Sequence, residues 1–197
     1  MRLLRLATLF VLLSLLVTGC QPMVRFGSVV EDLDIPAELY QPGQPGRRPV
    51  VILLAPCNGV GAYLREWAGH LQGDGYGVLL VDSYSARGTG NACSFGVRPL
   101  VDDVALDAVS AMQFLKSLPW VDRERIAVMG WSHGASAALF VESLADFYGA
   151  PPVRAVVSVY PGCETLDTRS HQPTLLLLAG KDDWTPPADC LLAGASM

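Results

Sequence analysis

A serine between two glycines is the clearest chemical signal in the sequence. Residues 130–134 read Gly-Trp-Ser-His-Gly, directly after an apolar run at 125–129 and directly before a run of helix-forming residues. A serine between a strand and a helix can be held on a tight turn that exposes its hydroxyl, and the two glycines let strand and helix pack closely. The first N–H groups of such a helix stabilise negative charge beside the serine. The pattern predicts that Ser132 is a nucleophile, and the alternative is a fortuitous loop serine.

The residues around this motif alternate between strand and helix patterns. Residues 21–48 predict a short tether followed by one or two edge strands. The clearest helix is 102–118, whose apolar residues fall on one face. This alternation predicts an α/β fold with a parallel sheet, helices on both faces and functional residues at the carboxyl ends of the strands. The other predicted elements are strands at 50–54, 77–81, 125–129, 153–160 and 174–178 and helices at 63–72 and 134–147.

Three segments carry a resemblance to a known family. They are residues 121–134, which contain the serine motif, Pro-Gly-Cys at 161–163 and Asp-Asp-Trp-Thr-Pro at 182–186. They resemble the dienelactone hydrolase family of the α/β-hydrolase fold, although prototype members have a cysteine nucleophile where this chain has Ser132. The resemblance implies a three-layer sandwich with a mostly parallel central sheet over residues 28–197. It also implies cleavage of small-molecule carboxylic esters or lactones through an acyl-serine intermediate, with no cofactor or metal.

The acidic member of a catalytic triad is expected after a later strand, because this fold orders its triad as serine, acid and histidine. Two aspartates fit that place. Counting three residues on from Gly180 gives Asp183, whereas the family spacing of four residues before Pro186 gives Asp182. The family spacing favours Asp182, and Asp183 is the alternative.

The oxyanion hole is expected to combine two backbone N–H groups. One is that of His133, which follows the nucleophile. Alignment with the family loop after the strand at 50–54 implies Cys57 as the second, because Pro56 has no N–H to donate. Arg87 lies in the loop after the second parallel strand, where some family members bind a substrate carboxylate through an arginine. A surface or structural arginine is the alternative at that position.

The general base is not evident among the three histidines. His70 lies in a helix before the nucleophile, His133 begins the helix after it, and His171 precedes the strand at 174–178. In relatives the histidine follows one more helix and strand. We therefore expect a C-terminally truncated version without the last helix–strand–helix and its catalytic histidine, inactive or weak as written. The alternatives are a non-catalytic, lipid-anchored binding protein and a peptidase of the prolyl oligopeptidase type.

The first twenty residues have the pattern of an export signal. Basic residues precede an apolar run at 6–17 that is too short to favour a spanning helix. Val-Thr-Gly-Cys at 17–20 resembles a bacterial lipoprotein processing box, which implies a signal peptide at 1–19, acylation of Cys20 and a tether at 20–27. Gln21, in place of aspartate, favours the outer membrane with the domain in the periplasm. A plain secretory signal or a core helix is the alternative.

Cysteine content and charge restrict the remaining possibilities. After export, Cys57, Cys93, Cys163 and Cys190 would meet an oxidising compartment and allow two bridges in three pairings, or remain free thiols. Cys163 and Cys190 each follow the carboxyl end of one of two consecutive strands, so we expect them within bridging distance. The net charge of −5 argues against a nucleic-acid partner. The absence of a Cys-x-x-Cys pair argues against structural zinc.

Overall fold

A seven-stranded sheet forms the centre of the protein in the computed structural model, which describes residues 21–94, 96–163 and 172–194. The strand order is β1-β2-β4-β3-β5-β6-β7. The first two strands are antiparallel to their neighbours, and β4, β3, β5, β6 and β7 are parallel. The strands are β1 Met23–Gly27, β2 Asp34–Tyr40, β3 Arg48–Leu54, β4 Gly77–Val81, β5 Val121–Trp131, β6 Val153–Val159 and β7 Thr174–Leu177.

Helices cover both faces of this sheet, as the alternating pattern predicts. Along β3, Ile52 and Leu54 pack in the core beside the helix Val101–Lys116, whereas Leu53 packs in a second core with Leu64 and Ala68 of the helix Ala62–Gly73. Successive residues of a strand point to opposite faces of the sheet, which is why they pack in different cores. The helices are α1 Ala62–Gly73, α2 Val101–Lys116, α3 His133–Ala138, α4 Val141–Phe147 and α5 Pro187–Gly194. The predicted α/β-hydrolase sandwich is confirmed.

Two predicted boundaries are wrong. The tether expected at 20–27 is partly strand, because Met23–Gly27 pairs with β2 and its Phe26 stacks on Phe114 of α2 with ring centroids 5.4 Å apart. The helix expected at 134–147 is two helices. Leu139 and Phe140 separate them, and their N–H groups bond to carbonyls three residues back, which tightens the turn and redirects the chain.

Two disulfides join the described cysteines. Cys163 and Cys190 are bridged with Cα atoms 5.0 Å apart, which confirms the expected proximity of this pair. Cys57 and Cys93 form the other bridge, with Cα atoms 4.8 Å apart, and this pairing was one of those that the sequence left open. The first bridge fastens α5 to the end of β6, and the second fastens the loop before α2 to the end of β3.

The predicted signal peptide at 1–19 and Cys20 lie outside the described residues. No helix among residues 21–94, 96–163 and 172–194 has both the length and the apolar character needed to cross a membrane.

Candidate active site

Ser132 lies on a sharp turn between β5 and α3, at the carboxyl edge of the sheet. Its backbone has φ 50° and ψ −116°, a conformation that side-chain-bearing residues rarely adopt. Its N–H donates to the Val159 carbonyl at 2.9 Å, and its own carbonyl accepts the Ser136 N–H at 2.9 Å. The turn is therefore fixed both to the end of β6 and to the first turn of the helix that it begins.

The two glycines of the motif are required by close contacts. A Cβ on Gly130 would lie 2.1 Å from the carbonyl oxygen of Gly134. A Cβ on Gly134 would lie 2.5 Å from the carbonyl oxygens of both Leu54 and Ala55, at the end of β3. These positions therefore exclude any larger residue, and the N-terminus of α3 is held against β3, where the expected oxyanion loop begins.

Cys57, the expected partner in the oxyanion hole, follows β3 and lines the same cavities as Ser132. Its carbonyl accepts the Ala92 N–H at 2.7 Å, and its sulfur is bonded to Cys93. No hydrogen bond within the described residues uses the N–H of Cys57 or of His133 as donor. Both N–H groups are thus available to an oxyanion beside Ser132.

The His133 side chain is held by Tyr84, a residue that lies outside the sequence motifs described above. The Tyr84 hydroxyl oxygen lies 2.9 Å from Nδ1 of His133 and donates to the Ala55 carbonyl at 3.2 Å. Burial lowers the pKa of His133, which keeps the imidazole neutral at physiological pH. Tyr84 therefore connects the two segments that carry Cys57 and His133. Tyr84 follows β4 closely in the sequence, and this position indicates that it lies at the carboxyl edge of the sheet.

Asp182 and Asp183 occupy different environments after β7. The Asp182 Oδ1 accepts the N–H groups of Trp184 at 2.9 Å and Thr185 at 3.0 Å, and Oδ2 accepts the Thr185 hydroxyl at 2.8 Å. The hydrogen bonds from Thr185 and Trp184 lower the pKa of Asp182, so it is ionised at neutral pH. Asp183 is exposed and makes no hydrogen bond or ion pair within the described part. Asp182 is therefore the oriented carboxylate.

Arg87 does not contact the cavities beside Ser132, so the structure gives no support to the expected substrate-binding role. Its side chain is 9% exposed, and its guanidinium pairs with both carboxylate oxygens of buried Asp107, at 2.7 and 3.1 Å, and with Glu31 at 2.8 Å. Burial alone would lower the pKa of Arg87, but the hydrogen bonds and charges of Asp107 and Glu31 outweigh it. The arginine joins α2 to the segment before β2, because a buried guanidinium requires such partners.

Ser132 lies in the walls of two cavities formed by the described residues. The first, which we call the aromatic cavity, measures about 530 Å³ and has Tyr63, Tyr160 and Trp184 in its walls. The second, which we call the acidic cavity, measures about 680 Å³ and extends past His133 to Asp102 at the start of α2. Both include Cys57, Cys93, Ser132 and Trp184. These aromatic walls are not evident from the sequence, although Trp184 lies within the segment that resembles the family.

Neither histidine in the described part forms a hydrogen bond with the Ser132 hydroxyl. His70 projects from α1, 72% exposed and 3.9 Å from Glu66. His133 is engaged with Tyr84, and His171 lies outside the described residues. Within those residues, no group of three His, Cys, Asp or Glu side chains is arranged to hold a metal ion.

Known proteins resemble this chain in sequence and in fold. The model of the dienelactone hydrolase family matches residues 35–192. A curated Bradyrhizobium sp. protein, named probable 2-oxo-3-(5-oxofuran-2-ylidene)propanoate lactonase, is 25% identical over 143 residues, or 70% of this chain and 55% of that protein. The chain thus spans about half the length of this curated relative. The solved structure m3DLH has a TM-score of 0.73 at 21% identity, over 89% of this chain and 75% of that one. Acetyl xylan esterase from Paenibacillus sp. R4 has a TM-score of 0.72 at 19% identity, over 89% and 73%.

Proposed function

Since the chain belongs to the dienelactone hydrolase family, we propose that it is a serine hydrolase that cleaves carboxylic esters or lactones. The observation that carries this proposal is the strained turn at Ser132, which presents a hydroxyl to two open cavities at the carboxyl edge of the sheet. Residues in such rare conformations persist where the surrounding structure enforces them, and they cluster at active sites.

The proposed reaction proceeds in two steps. The Ser132 Oγ attacks the substrate carbonyl carbon while its proton passes to a histidine, and the N–H groups of Cys57 and His133 stabilise the oxyanion. The alcohol leaves with that proton, which forms the acyl-serine. Water then attacks the acyl group, and the acid is released with Ser132 restored. Asp182 orients the histidine, since one lone pair of its Oδ2 remains free for an imidazole N–H.

We propose that the histidine is supplied by sequence beyond Met197 in a longer form of the protein. This proposal is supported by the triad order of the fold, which places the histidine after the acid. It is also supported by the positions of His70 and His133, whose side chains are directed elsewhere. The 197-residue chain should accordingly be a slow catalyst, because removing the base from a serine triad costs nearly as much as removing the whole triad.

The experiment compares p-nitrophenyl acetate hydrolysis by three proteins: the 197-residue chain, its Ser132→Ala variant and the full reading frame of the gene. We expect the short chain to hydrolyse the ester no more than about 10³–10⁴-fold faster than water alone does. The long form should be faster than the short chain by several orders of magnitude. Mass spectrometry of the long form should find the acetyl group on Ser132. Robust turnover by the short chain, abolished by His171→Ala, would show that the base lies within residues 1–197.

A binding protein is the outcome that would replace the enzyme. If the long form neither hydrolyses activated esters nor acquires an acyl group on Ser132, the cavities serve binding alone. A long form with no histidine on a loop after a further strand would point the same way.

We also propose that the domain is anchored to the bacterial outer membrane, facing the periplasm, through acyl chains on Cys20. The support is the lipoprotein-type sequence at 17–20. Stable anchoring requires at least two acyl chains, because one gives only marginal binding. Cys20→Ser should move the protein from the membrane fraction to the soluble fraction, with Cys57→Ser as the control that leaves it membrane-bound. Unchanged fractionation of the Cys20→Ser variant would contradict the anchor.

A further inference from the structure

The Cys57–Cys93 disulfide and Trp184 belong to the walls of both the aromatic cavity and the acidic cavity, and Ser132 also lines both. The other walls of the two cavities differ. A substrate whose carbonyl carbon lies at the Ser132 hydroxyl therefore extends one part into each cavity. The chemistry of the two cavities then determines which substrates the site accepts.

The aromatic cavity is suited to a flat apolar group. Tyr63 packs edge-on against Trp131, with ring centroids 6.2 Å apart. Burial raises the pKa of Tyr63 to about 12, and burial also raises the pKa of Tyr160, so both hydroxyls stay neutral. The rings of Tyr63, Tyr160 and Trp184 all contribute aromatic surface to the cavity walls. Aromatic walls favour stacked or edge-on contacts with a flat partner.

The described walls of the acidic cavity offer no positive charge to a carboxylate. No lysine or arginine is among the described residues that line either cavity, and Asp102 contributes a negative charge. Two arginines in the segment between β4 and α2 are paired with carboxylates: Arg87 with Asp107 and Glu31, and Arg98 with Asp103 and Glu31.

The positive end of the α2 dipole does not take the place of a lysine or arginine in the described walls of the acidic cavity. Asp103 accepts the Leu100 N–H at 2.8 Å, and both Asp102 and Asp103 lie in the first turn of α2. Carboxylates in the first turn offset the partial positive charge of a helix N-terminus.

We infer that this site selects an uncharged ester or lactone with a flat apolar part and disfavours a substrate that carries a carboxylate. The inference rests on the proposed hydrolase function and specifies its substrate class. The flat part occupies the aromatic cavity against Trp184, and the uncharged remainder extends towards Asp102. The site thus differs from one in which an arginine at the position of Arg87 binds a substrate carboxylate.

The test measures binding without chemistry, so its result does not depend on which histidine acts as the base. The 197-residue chain carrying Ser132→Ala is titrated by calorimetry with phenyl acetate and, separately, with monophenyl malonate, which carries its carboxylate on the acyl side that extends towards Asp102. The two ligands differ only by the carboxylate. We expect the uncharged ligand to bind about tenfold more tightly. Equal or tighter binding of the carboxylate, or no binding of either ligand at millimolar concentration, would overturn the inference.

Two variants test which residues cause the preference for the uncharged ligand. Trp184→Ala should weaken phenyl acetate binding by about tenfold, the loss expected for one aromatic contact. Asp102→Asn should narrow the ratio between the two ligands by about two- to fivefold, as expected for one exposed charge. Asp74→Asn removes the same charge at the far end of α1, so it should leave the ratio as it is. An equal effect of the two Asp→Asn variants would mean that net charge, and not the cavity, repels the carboxylate.

Failure of this test and failure of the proposed function can be told apart. Selective binding of phenyl acetate by a protein whose long form never acylates Ser132 would keep the inference about ligand class and reject the enzyme. Acylation of Ser132 with equal binding of both ligands would keep the enzyme and reject the inference.

Discussion

Ser132 adopts a conformation that costs of the order of 1–3 kcal/mol, and its neighbours enforce it. The Val159 carbonyl holds its N–H, and the carbonyl of Gly134 approaches Gly130 so closely that no side chain fits. Because these contacts come from three separate elements, the turn keeps its shape only while β5, β6 and α3 stay together. The geometry of one residue thus depends on the packing of the sheet.

A prediction at this scale separates the two aspartates. Asp182→Asn in the full reading frame should lower kcat by about 10⁴. The N–H groups of Trp184 and Thr185 would keep the amide oxygen at the Oδ1 position, so the NH2 would face the imidazole, where it cannot accept the imidazole N–H or stabilise the charged ring. Asp183→Asn removes the same charge from the adjacent, exposed residue and should leave kcat within about twofold, since surface changes have small effects. Steady-state kinetics with p-nitrophenyl acetate measures both. A larger loss of kcat for Asp183→Asn would show that Asp183, and not Asp182, orients the histidine.

A second prediction concerns pH and His133. Burial lowers its pKa in the folded protein below the ordinary value of 6.5. As the pH falls through 6.5, the unfolded chain therefore takes up a proton before the folded protein does, and stability is lost until the lowered pKa is reached. His133→Gln should lose less free energy of unfolding than the wild type between about pH 7.5 and 5, as measured by urea denaturation. His70→Gln, on the exposed face of α1, should keep the wild-type dependence. If His133→Gln keeps it too, the imidazole is not held neutral.

At the scale of elements, the contact between α3 and the end of β3 aligns the two segments that carry the proposed oxyanion-hole N–H groups. Gly134 lies against the carbonyls of Leu54 and Ala55, and the Tyr84 hydroxyl joins Ala55 to His133. These contacts bring the N-terminus of α3 to the loop that contains Cys57. A displacement between the two elements would separate the two N–H groups of the expected oxyanion hole.

This contact predicts that Gly134→Ala is destabilising. The added methyl carbon would lie 2.5 Å from two backbone carbonyl oxygens, so α3 must shift. Overpacking of this kind costs about 1–3 kcal/mol. Gly69→Ala inside α1 is the matched control, because its added methyl carbon would have no neighbour within 4 Å and helical alanine is about 0.5–1 kcal/mol better than glycine. Thermal denaturation should lower Tm for the first variant and raise it for the second. A stable Gly134→Ala protein would show that the contact is loose.

At the scale of the whole molecule, the sheet is unevenly covered. In the middle, β3 and β4 are buried on both faces, whereas β7 exposes Leu175 and Leu177 at 52% and 46%. The adjoining α5 exposes Leu191 and Leu192. Exposed apolar side chains on an edge strand favour association with other chains.

The fourth prediction follows from this uneven cover. A protein comprising residues 21–197 should self-associate, and Leu175→Lys should reduce the association, because a charge on an edge strand opposes pairing with a second chain. Val30→Lys, at a residue that is 47% exposed in the segment between β1 and β2, changes the same charge elsewhere and should have little effect. Sedimentation velocity measures the species present. If the two substitutions reduce self-association equally, the reduction is due to the added net charge and not to the exposed strand β7.

The sequence alone determined the features that depend on the local pattern of residues and on their order in the chain. Apolar runs determined the strands, with β4 expected at 77–81 and found at Gly77–Val81. The Gly-x-Ser-x-Gly spacing placed Ser132 on a turn, because the strand, the motif and the helix are contiguous in the chain. The proximity of Cys163 and Cys190 also followed from chain order, since their strands are consecutive and parallel.

Only the tertiary structure decided which distant groups meet. Arg87 was placed near the site by its position after β4, yet the buried carboxylate of Asp107, twenty residues away in the chain, holds its guanidinium. Asp182 differs from Asp183 only because the backbone turns so that Trp184 and Thr185 direct their N–H groups at the first. The pairing of Cys57 with Cys93 and of Tyr84 with His133 likewise depends on loops that converge from separate strands. The physical reason is that side-chain direction and partner choice are determined by packing between elements, and residue spacing within one element does not contain that information.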